Sequence, residues 1–316
     1  MQKNQEYICR ACPRKCGVDR TKAIGFCGCG EKTRIARVGL HLWEEPCISY
    51  GKGSGTIFFS GCNLRCVFCQ NYQISHNRHG KEITIETLAQ EILGLQEQGA
   101  VNINLVTPSH DTKNIAAVLK MVRKKLHIPV IYNSSGYDSI EALEQLAGLI
   151  DIYLPDLKYY SSHLSKRYSG AEDYFCTASH ALKEMWRQTG YAVFDQDGHI
   201  ARGVMVRHLV LPSHTDDSMN VFSYLAREYD PAQMAVSVMS QYFPTHLAPE
   251  FPELQRRITA QEYERVVNHI VDLGFSVGFL QERSSAKEEY VPAFDYDDKN
   301  TSSIRFSDAD ADTPSG

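Results

Sequence analysis

Between positions 61 and 71 the chain reads Gly-Cys-Asn-Leu-Arg-Cys-Val-Phe-Cys-Gln-Asn, which puts thiols at Cys62, Cys66 and Cys69. Spacings of three and two residues on one tight loop can set three thiolates on three corners of an iron–sulfur cube. A structural zinc ion needs a fourth ligand, and an electron-carrying cluster ordinarily takes a fourth cysteine. An open fourth corner instead suits a cluster whose exposed iron binds a small molecule. The competing assignment is a zinc knuckle that borrows His76, His79 or Cys47.

A second set lies upstream. Cys9-x2-Cys12-x3-Cys16-x10-Cys27 is followed at once by Cys29, among Pro13, Gly17, Gly25, Gly28 and Gly30. Glycines let a backbone turn closely around a metal. Four thiolates can close a zinc site or hold a second iron–sulfur cluster, and free or disulfide-bonded thiols are the third alternative. Nine of the ten cysteines precede residue 70, whereas a disulfide framework would spread its bridges over the fold. The first residues, MQKNQEYICRAC, carry no apolar signal-peptide core, and no run of about 18 apolar residues occurs. The expectation is a cytoplasmic protein without a membrane partner, whose thiols serve metal or redox chemistry. Cys176, alone in a helical stretch, is expected to be a small buried apolar side chain.

The rest of the chain must position these thiols. Its 316 residues are 43% hydrophobic and 22% charged, with a net charge of −5, so nucleic acid is not an expected partner. Residues 1–50 form a Cys-rich zone with local charge +4, residues 51–282 carry the core, and residues 283–316 form a polar tail of local charge −4 expected to be mobile. Strand-like runs occur at 56–60, 101–107, 128–133, 150–155, 204–211 and 235–239, and helix-period stretches at 84–98, 112–126, 139–148, 178–189, 216–228 and 259–273. Thr84 and Asp111 stand as N-caps, and Gly99 and Gly274 follow last turns. Six β/α units in series predict an α/β fold with a parallel sheet wound by right-handed crossovers, a barrel or partial barrel. Function in such a fold sits on the loops after the strand C-termini, which is where Cys62, Cys66 and Cys69 fall. Gly51-Lys52-Gly53-Ser54-Gly55 precedes a strand, unlike a phosphate loop, and is expected to be a flexible hinge.

The Cys-x3-Cys-x-aromatic-Cys loop after the first strand of such a series resembles the radical S-adenosylmethionine (SAM) superfamily, and more closely its pyruvate formate-lyase activating enzyme-like branch. The resemblance covers roughly residues 54–280 and implies a partial (β/α)6 TIM-like barrel. It further implies that Cys62, Cys66 and Cys69 hold a [4Fe-4S] cluster whose unique iron chelates SAM, and that one electron cleaves SAM to methionine and a 5′-deoxyadenosyl radical. Phe68 matches the aromatic residue that packs near the adenine, and Asn71 an asparagine that helps hold SAM. Asn133-Ser134-Ser135-Gly136 stands where activating enzymes carry an Asp-Thr-Asn-Gly turn, and Asp156-Leu157-Lys158 matches an Asp-x-Lys motif around the methionine moiety. A lysine ammonium at a strand mouth can pair with SAM's carboxylate, and Asp156 can balance the sulfonium. In Arg207-His208-Leu209-Val210-Leu211-Pro212, strand alternation lets only one of Arg207 and His208 face the barrel, and Arg207 is the candidate. Tyr242, after the last strand, can touch SAM or pack in the core.

Two positions depart from the family pattern. The second strand ends Thr107-Pro108-Ser109-His110 where relatives carry Gly-Gly-Glu, so Ser109, His110 or backbone carbonyls are left to hold SAM's amino group, and Asn133 replaces a carboxylate. The resemblance implies a low-potential electron donor such as flavodoxin or ferredoxin, and a protein substrate of the glycyl radical enzyme type. Alternatives from other classes are a zinc-bearing scaffold on a degenerate barrel and a radical SAM enzyme that modifies RNA.

Overall fold

The computed structural model describes residues 8–280, so the expected acidic tail at 283–316 lies outside the described residues. Strand β1 (Thr33–His41) comes first, followed by β2 (Ser54–Phe59), a one-turn helix α1 (Tyr72–Ser75), β3 (Lys81–Ile83) and helix α2 (Ile85–Glu97). Strands and helices then alternate through β4 (Ile103–Val106), α3 (Thr112–Val122), β5 (Val130–Ser134), α4 (Ile140–Glu144) and β6 (Ile152–Pro155). Two helices, α5 (Ser162–Ser169) and α6 (Tyr174–Thr189), precede the two-residue strand β7 (Val193–Phe194) and the long β8 (Ile200–Leu209). The chain continues through α7 (Thr215–Glu228), β9 (Ala235–Met239), α8 (Ala260–Asp272) and β10 (Gly278–Leu280).

The strands form one sheet in the order β10-β9-β8-β6-β5-β4-β2-β1-β3, with β7 beside β8. From β2 to β10 every neighbouring pair on this path is parallel, while β1 runs antiparallel to both β2 and β3. The two ends of the path do not meet, so the curved sheet is an open, partial barrel. All six predicted β/α units are present. A seventh parallel strand, β10, extends them. Every residue of β2, β5 and β6 is buried, as expected of a parallel sheet covered on both faces.

Local signals explain most helix boundaries. Thr84 caps α2 by accepting from the Thr87 amide, and Gly99, at φ 93°, ends the turn after it. Asp111 does not cap α3 through its side chain. Its carboxylate accepts instead from Thr33 Oγ1 at 2.6 Å and Asn114 Nδ2 at 2.8 Å, tying the helix start to β1. Helix α6 starts four residues before its predicted position. That places Cys176 on the solvent side of its first turn, so the thiol is exposed and not buried.

The Gly51–Gly55 segment is a fixed turn, not a hinge. Gly53 donates to the Tyr50 carbonyl, Ser54 Oγ donates to Asn102 Oδ1 at 2.5 Å, and Gly55 already belongs to β2. A Cβ on Gly55 would fall 2.9 Å from the Asn102 carbonyl oxygen, so glycine is required by the close approach of two strands. The preceding loop fills the N-terminal end of the barrel. Cys47 and Ile48 pack against Ile131, Ile152, Leu154 and Met205, and the Cys47 carbonyl accepts from the Ile200 amide at 3.1 Å.

Helix α8 opens with a capping box in which Thr259 and Glu262 satisfy each other's amides. Arg256 hydrogen-bonds the Glu262 carboxylate, and it and the Thr259 and Ser213 amides hold that carboxyl down at about 2. A depressed carboxyl stabilises the fold above its ordinary pKa, and the contribution is lost as pH falls from about 4.5 towards 2. Glu262→Gln should therefore cost about 1 kcal/mol at neutral pH, a drop of roughly 2–4 °C in Tm. Thermal unfolding of both proteins over that acid range should show the difference shrinking; a constant difference would refute the assignment.

Candidate active site

At the C-terminal ends of the parallel strands a cavity of about 270 Å³ opens. Cys62, Cys66 and Cys69 line one wall of it, together with Phe68 and Asn71 from the same loop. Asn133 at the end of β5, Asp156 and Lys158 after β6, and Arg207 near the end of β8 line it as well. The strand-end positions thus bring all nine of these residues to one space.

The loop has no regular structure of its own and is held by distant parts of the chain. Arg65 and Val67 donate backbone N–H groups to the carbonyls of Ser169 and Tyr168, at 3.1 and 2.8 Å, where α5 ends. Ser169 Oγ donates to Cys66 Sγ at 3.0 Å and accepts from the Tyr159 hydroxyl at 2.7 Å. Cys69 Sγ lies 3.1 Å from Ser75 Oγ on α1, and Asn63 Nδ2 donates to the Tyr137 carbonyl at 2.6 Å. Ser169 and Ser75 are contacts that the sequence pattern did not announce, because α5 contains few apolar residues and α1 is a single turn. Phe68 is buried edge-to-face between Tyr159 and Tyr242. Tyr242 itself is a core residue whose hydroxyl donates to the Leu254 carbonyl at 2.6 Å.

Burial raises all three thiols, Cys62 to about 12 and Cys69 to about 11. Each is therefore a protonated thiol at neutral pH in the metal-free chain, and metal binding must displace the protons. Of the other ligands considered for a zinc knuckle, Cys47 lies in the barrel floor and the His76 ring is engaged with His246 at 2.8 Å.

The strand-end residues are held by a second network. Tyr174 donates to the carbonyls of Ser135 and Asp156 and accepts from the Lys158 amide, at 2.8, 2.9 and 2.9 Å. Gly136, at φ 75°, presses against the Asp156 carbonyl so closely that a Cβ would stand 2.2 Å from its oxygen. Lys158 Nζ pairs with Asp156 Oδ2 at 2.5 Å. Burial opposes the lysine charge, but the adjacent Asp156 carboxylate outweighs it and keeps the ammonium protonated.

Arg207 points into the barrel and His208 away from it. The buried His208 accepts from Ser218 and donates to the Leu157 carbonyl, and burial pushes it down to about 4. Arg207 is clasped from below by Glu44 and Glu45, with Nε to Glu45 Oε1 at 2.8 Å and Nη2 to both carboxylates. Asn104 Nδ2 donates to Glu44 Oε1 at 2.9 Å. This acidic pair was not anticipated. Its only sequence signal is two adjacent glutamates in an otherwise apolar loop. Ser109 and His110 are buried and do not line the cavity, whereas Val106 and Thr107 do.

The sequence profile of the radical SAM superfamily matches residues 56–221, more than half of the chain, and the protein belongs to that superfamily. It is 31% identical over 274 residues to the uncharacterized protein MJ0674 of Methanocaldococcus jannaschii, covering 84% of this chain and 75% of that one. It is also similar to the pyruvate formate-lyase-activating enzyme of Clostridium pasteurianum, 23% identical over 194 residues, which cover 58% of this chain and 72% of the relative. Among solved structures, Streptococcus suis SuiB bound to the precursor peptide SuiA shares 12% identity at a TM-score of 0.47, over 70% of this chain and 46% of SuiB, so the chain spans less than half that protein's length. Superfamily membership makes the protein a radical SAM enzyme and implies a [4Fe-4S] cluster and SAM. The cavity fits both: the buried Cys62 and Cys66 thiols and the partly buried Cys69 thiol line it, and so does Ser135, whose buried Oγ has no hydrogen-bond partner among the described residues. No helix among the described residues is long and apolar enough to cross a membrane.

Removing the cation from the floor should be severe. Arg207→Ala leaves Glu44 and Glu45 buried without a counter-charge, and a loss of about 3–5 kcal/mol is expected in denaturant unfolding. Combining it with Glu44→Gln and Glu45→Gln should recover part of that loss; equal destabilisation with and without the glutamine changes would refute the argument.

Proposed function

We propose that the protein generates a substrate radical by hydrogen abstraction, in the manner of the glycyl-radical activating enzymes, with a protein substrate and a low-potential flavodoxin or ferredoxin as electron donor. The observation that supports this most directly is the meeting of Cys62, Cys66 and Cys69 with Asn133, Asp156 and Lys158 around one cavity at the strand C-termini. When bound, a reduced [4Fe-4S] cluster supplies the electron that splits SAM into methionine and the hydrogen-abstracting 5′-deoxyadenosyl species. The likeness to activating enzymes at 23% identity supports the choice of substrate class.

In this reading the chain's own residues bind, orient and shield. Cys62, Cys66 and Cys69 would give up their protons and hold the cluster through three thiolates. Lys158 would offer its ammonium to a carboxylate, and Asp156, which keeps that ammonium charged, could balance a cationic sulfonium. Asn71 and Asn133 would offer amide groups to the polar parts of SAM, and Phe68 would offer an apolar ring to the adenine. Arg207, already neutralised by Glu44 and Glu45, shapes the floor more than it binds an anion. With Ser109 and His110 outside the cavity lining, the Val106 and Thr107 backbone would be left to hold the SAM amino group. Phe68 lines the cavity and is held there by the Tyr159 and Tyr242 rings packed behind it.

Anaerobic reconstitution tests the core of this reading. Wild-type protein should gain about four irons at this site and release 5′-deoxyadenosine from SAM with a strong reductant. Cys66→Ala should abolish both, and Lys158→Met should lower turnover by at least tenfold at retained iron content. No deoxyadenosine from iron-loaded wild type would overturn it. For the substrate class, a glycyl radical in an added formate-lyase-like protein, seen by electron paramagnetic resonance, is the expected result.

A further inference from the structure

The upstream cysteines are drawn together by the fold. The Cys9 amide donates to the Val18 carbonyl and the Gly17 amide to the Cys9 carbonyl, at 2.9 and 3.2 Å. This small hairpin turns through positive φ at Lys15 and Gly17 and brings Cys9 and Cys16 close together. Cys12 lies within electrostatic reach of Cys9, Cys16 and Cys27 at once. Gly25 sits between two of them, since a Cβ there would stand 3.3 Å from Cys16 Sγ and 3.6 Å from Cys27 Sγ. Cys29 stands beside Cys27, but its thiol is directed to the Ser60 carbonyl, to which it donates at 3.1 Å.

A cation stands beside them with donors to spare. Arg20 donates through Nη1 to the His110 carbonyl at 2.7 Å, but its Nε and Nη2 are buried and make no hydrogen bond among the described residues. Its charge faces Cys27, Asp111, Cys9 and Cys29. A buried guanidinium with two unused N–H groups beside a set of sulfurs is what four thiolates around a metal need, since such a centre carries net negative charge and takes hydrogen bonds from its surroundings.

The same segment bears on the cavity loop. The Cys27 carbonyl accepts from the Cys62 amide at 3.3 Å, and Gly61 has no side chain because Cys29 Sγ and the Cys27 carbonyl occupy that space. Arg14 donates to the carbonyls of Asn63 and Gly170 at 2.7 and 2.6 Å, and the Phe26 ring lies under both Arg14 and Arg65.

We propose that Cys9, Cys12, Cys16 and Cys27 form a second, closed four-thiolate metal centre, compensated by Arg20, that fixes the backbone from which Cys62, Cys66 and Cys69 are presented. Four thiols lose four protons to solvent on binding, and the ligand is a thiophilic centre, one zinc ion or one iron–sulfur cluster. The existence of the centre is independent of the proposed radical chemistry; only its bracing role rests on a cluster at Cys62, Cys66 and Cys69.

The test uses the full-length Cys62→Ser/Cys66→Ser/Cys69→Ser variant, purified without oxygen, with zinc, iron and sulfide counted per chain. About one zinc, or about four irons with matching sulfide, should remain, and the two counts identify the centre. Adding Cys12→Ser should remove it, while adding Cys29→Ser should leave it in place. An intact, folded triple variant carrying no metal after supply of zinc and of iron with sulfide overturns the proposal, as does metal content unchanged by Cys12→Ser. In the wild-type background, Cys12→Ser should reduce iron at the cavity loop at least threefold with the circular dichroism of the barrel retained. Full iron loading there would overturn the bracing role.

Discussion

Three thiols can face one cavity only if an irregular loop is held rigid by groups outside it. A free eight-residue connection would lose on ordering about 1–2 kcal/mol per residue of backbone entropy. Here the restraint comes from three directions: the end of α5 through Ser169, the turn at Tyr137, and the backbone of Cys27. Each anchor is a buried hydrogen bond, and each would be left unsatisfied if the loop moved. The position of the sulfurs is thus a property of the whole barrel.

Charge follows the same economy. Two ion-paired groups stand in the cavity, Lys158 with Asp156 near the mouth and Arg207 with Glu44 and Glu45 in the floor. The first is a one-to-one pair with unused donor capacity on the ammonium. The second is over-supplied with acid and has its guanidinium already engaged, so an incoming carboxylate meets a better partner in Lys158. Buried tyrosines supply the scaffolding between them: Tyr174 joins the β5 and β6 strand ends, and Tyr159 holds Ser169 against Cys66. Hydroxyls suit this role because a buried ring contributes apolar area while its O–H satisfies backbone carbonyls.

Much of this was legible in the sequence because the parallel strands are buried on both faces and read as short apolar runs, and because the cysteine spacing is local. The strand-end positions of Asn133, Asp156 and Arg207 followed from the same runs. The parts that escaped are those whose partners are distant in sequence or whose pattern is polar. β1 carries Arg34 and Arg37 in its middle and does not read as a core strand, yet it lies against β2 over six register positions. Helix α5 is almost entirely polar, Glu44 and Glu45 look like a solvent-facing acidic pair, and Cys176 looks apolar only if α6 starts late. Each was decided by tertiary contacts that no local window contains.

Strand β1 also explains why the chain begins its sheet against the grain of the barrel. In an open sheet the first parallel strand would be an edge, with one row of backbone groups unpaired and free to shift. That strand is β2, and the cavity loop leaves from its end. Pairing β1 antiparallel to it moves the edge outward to β3, a three-residue strand with charged Lys81 and Glu82, and leaves β2 hydrogen-bonded on both sides and buried throughout. Because β1 follows directly on residues 8–32, the strand that stiffens the loop at its base is covalently continuous with the cysteines that touch it from the side. A displacement of the upstream segment therefore reaches Cys62 along two routes, through the β1–β2 ladder and through the Cys27 carbonyl.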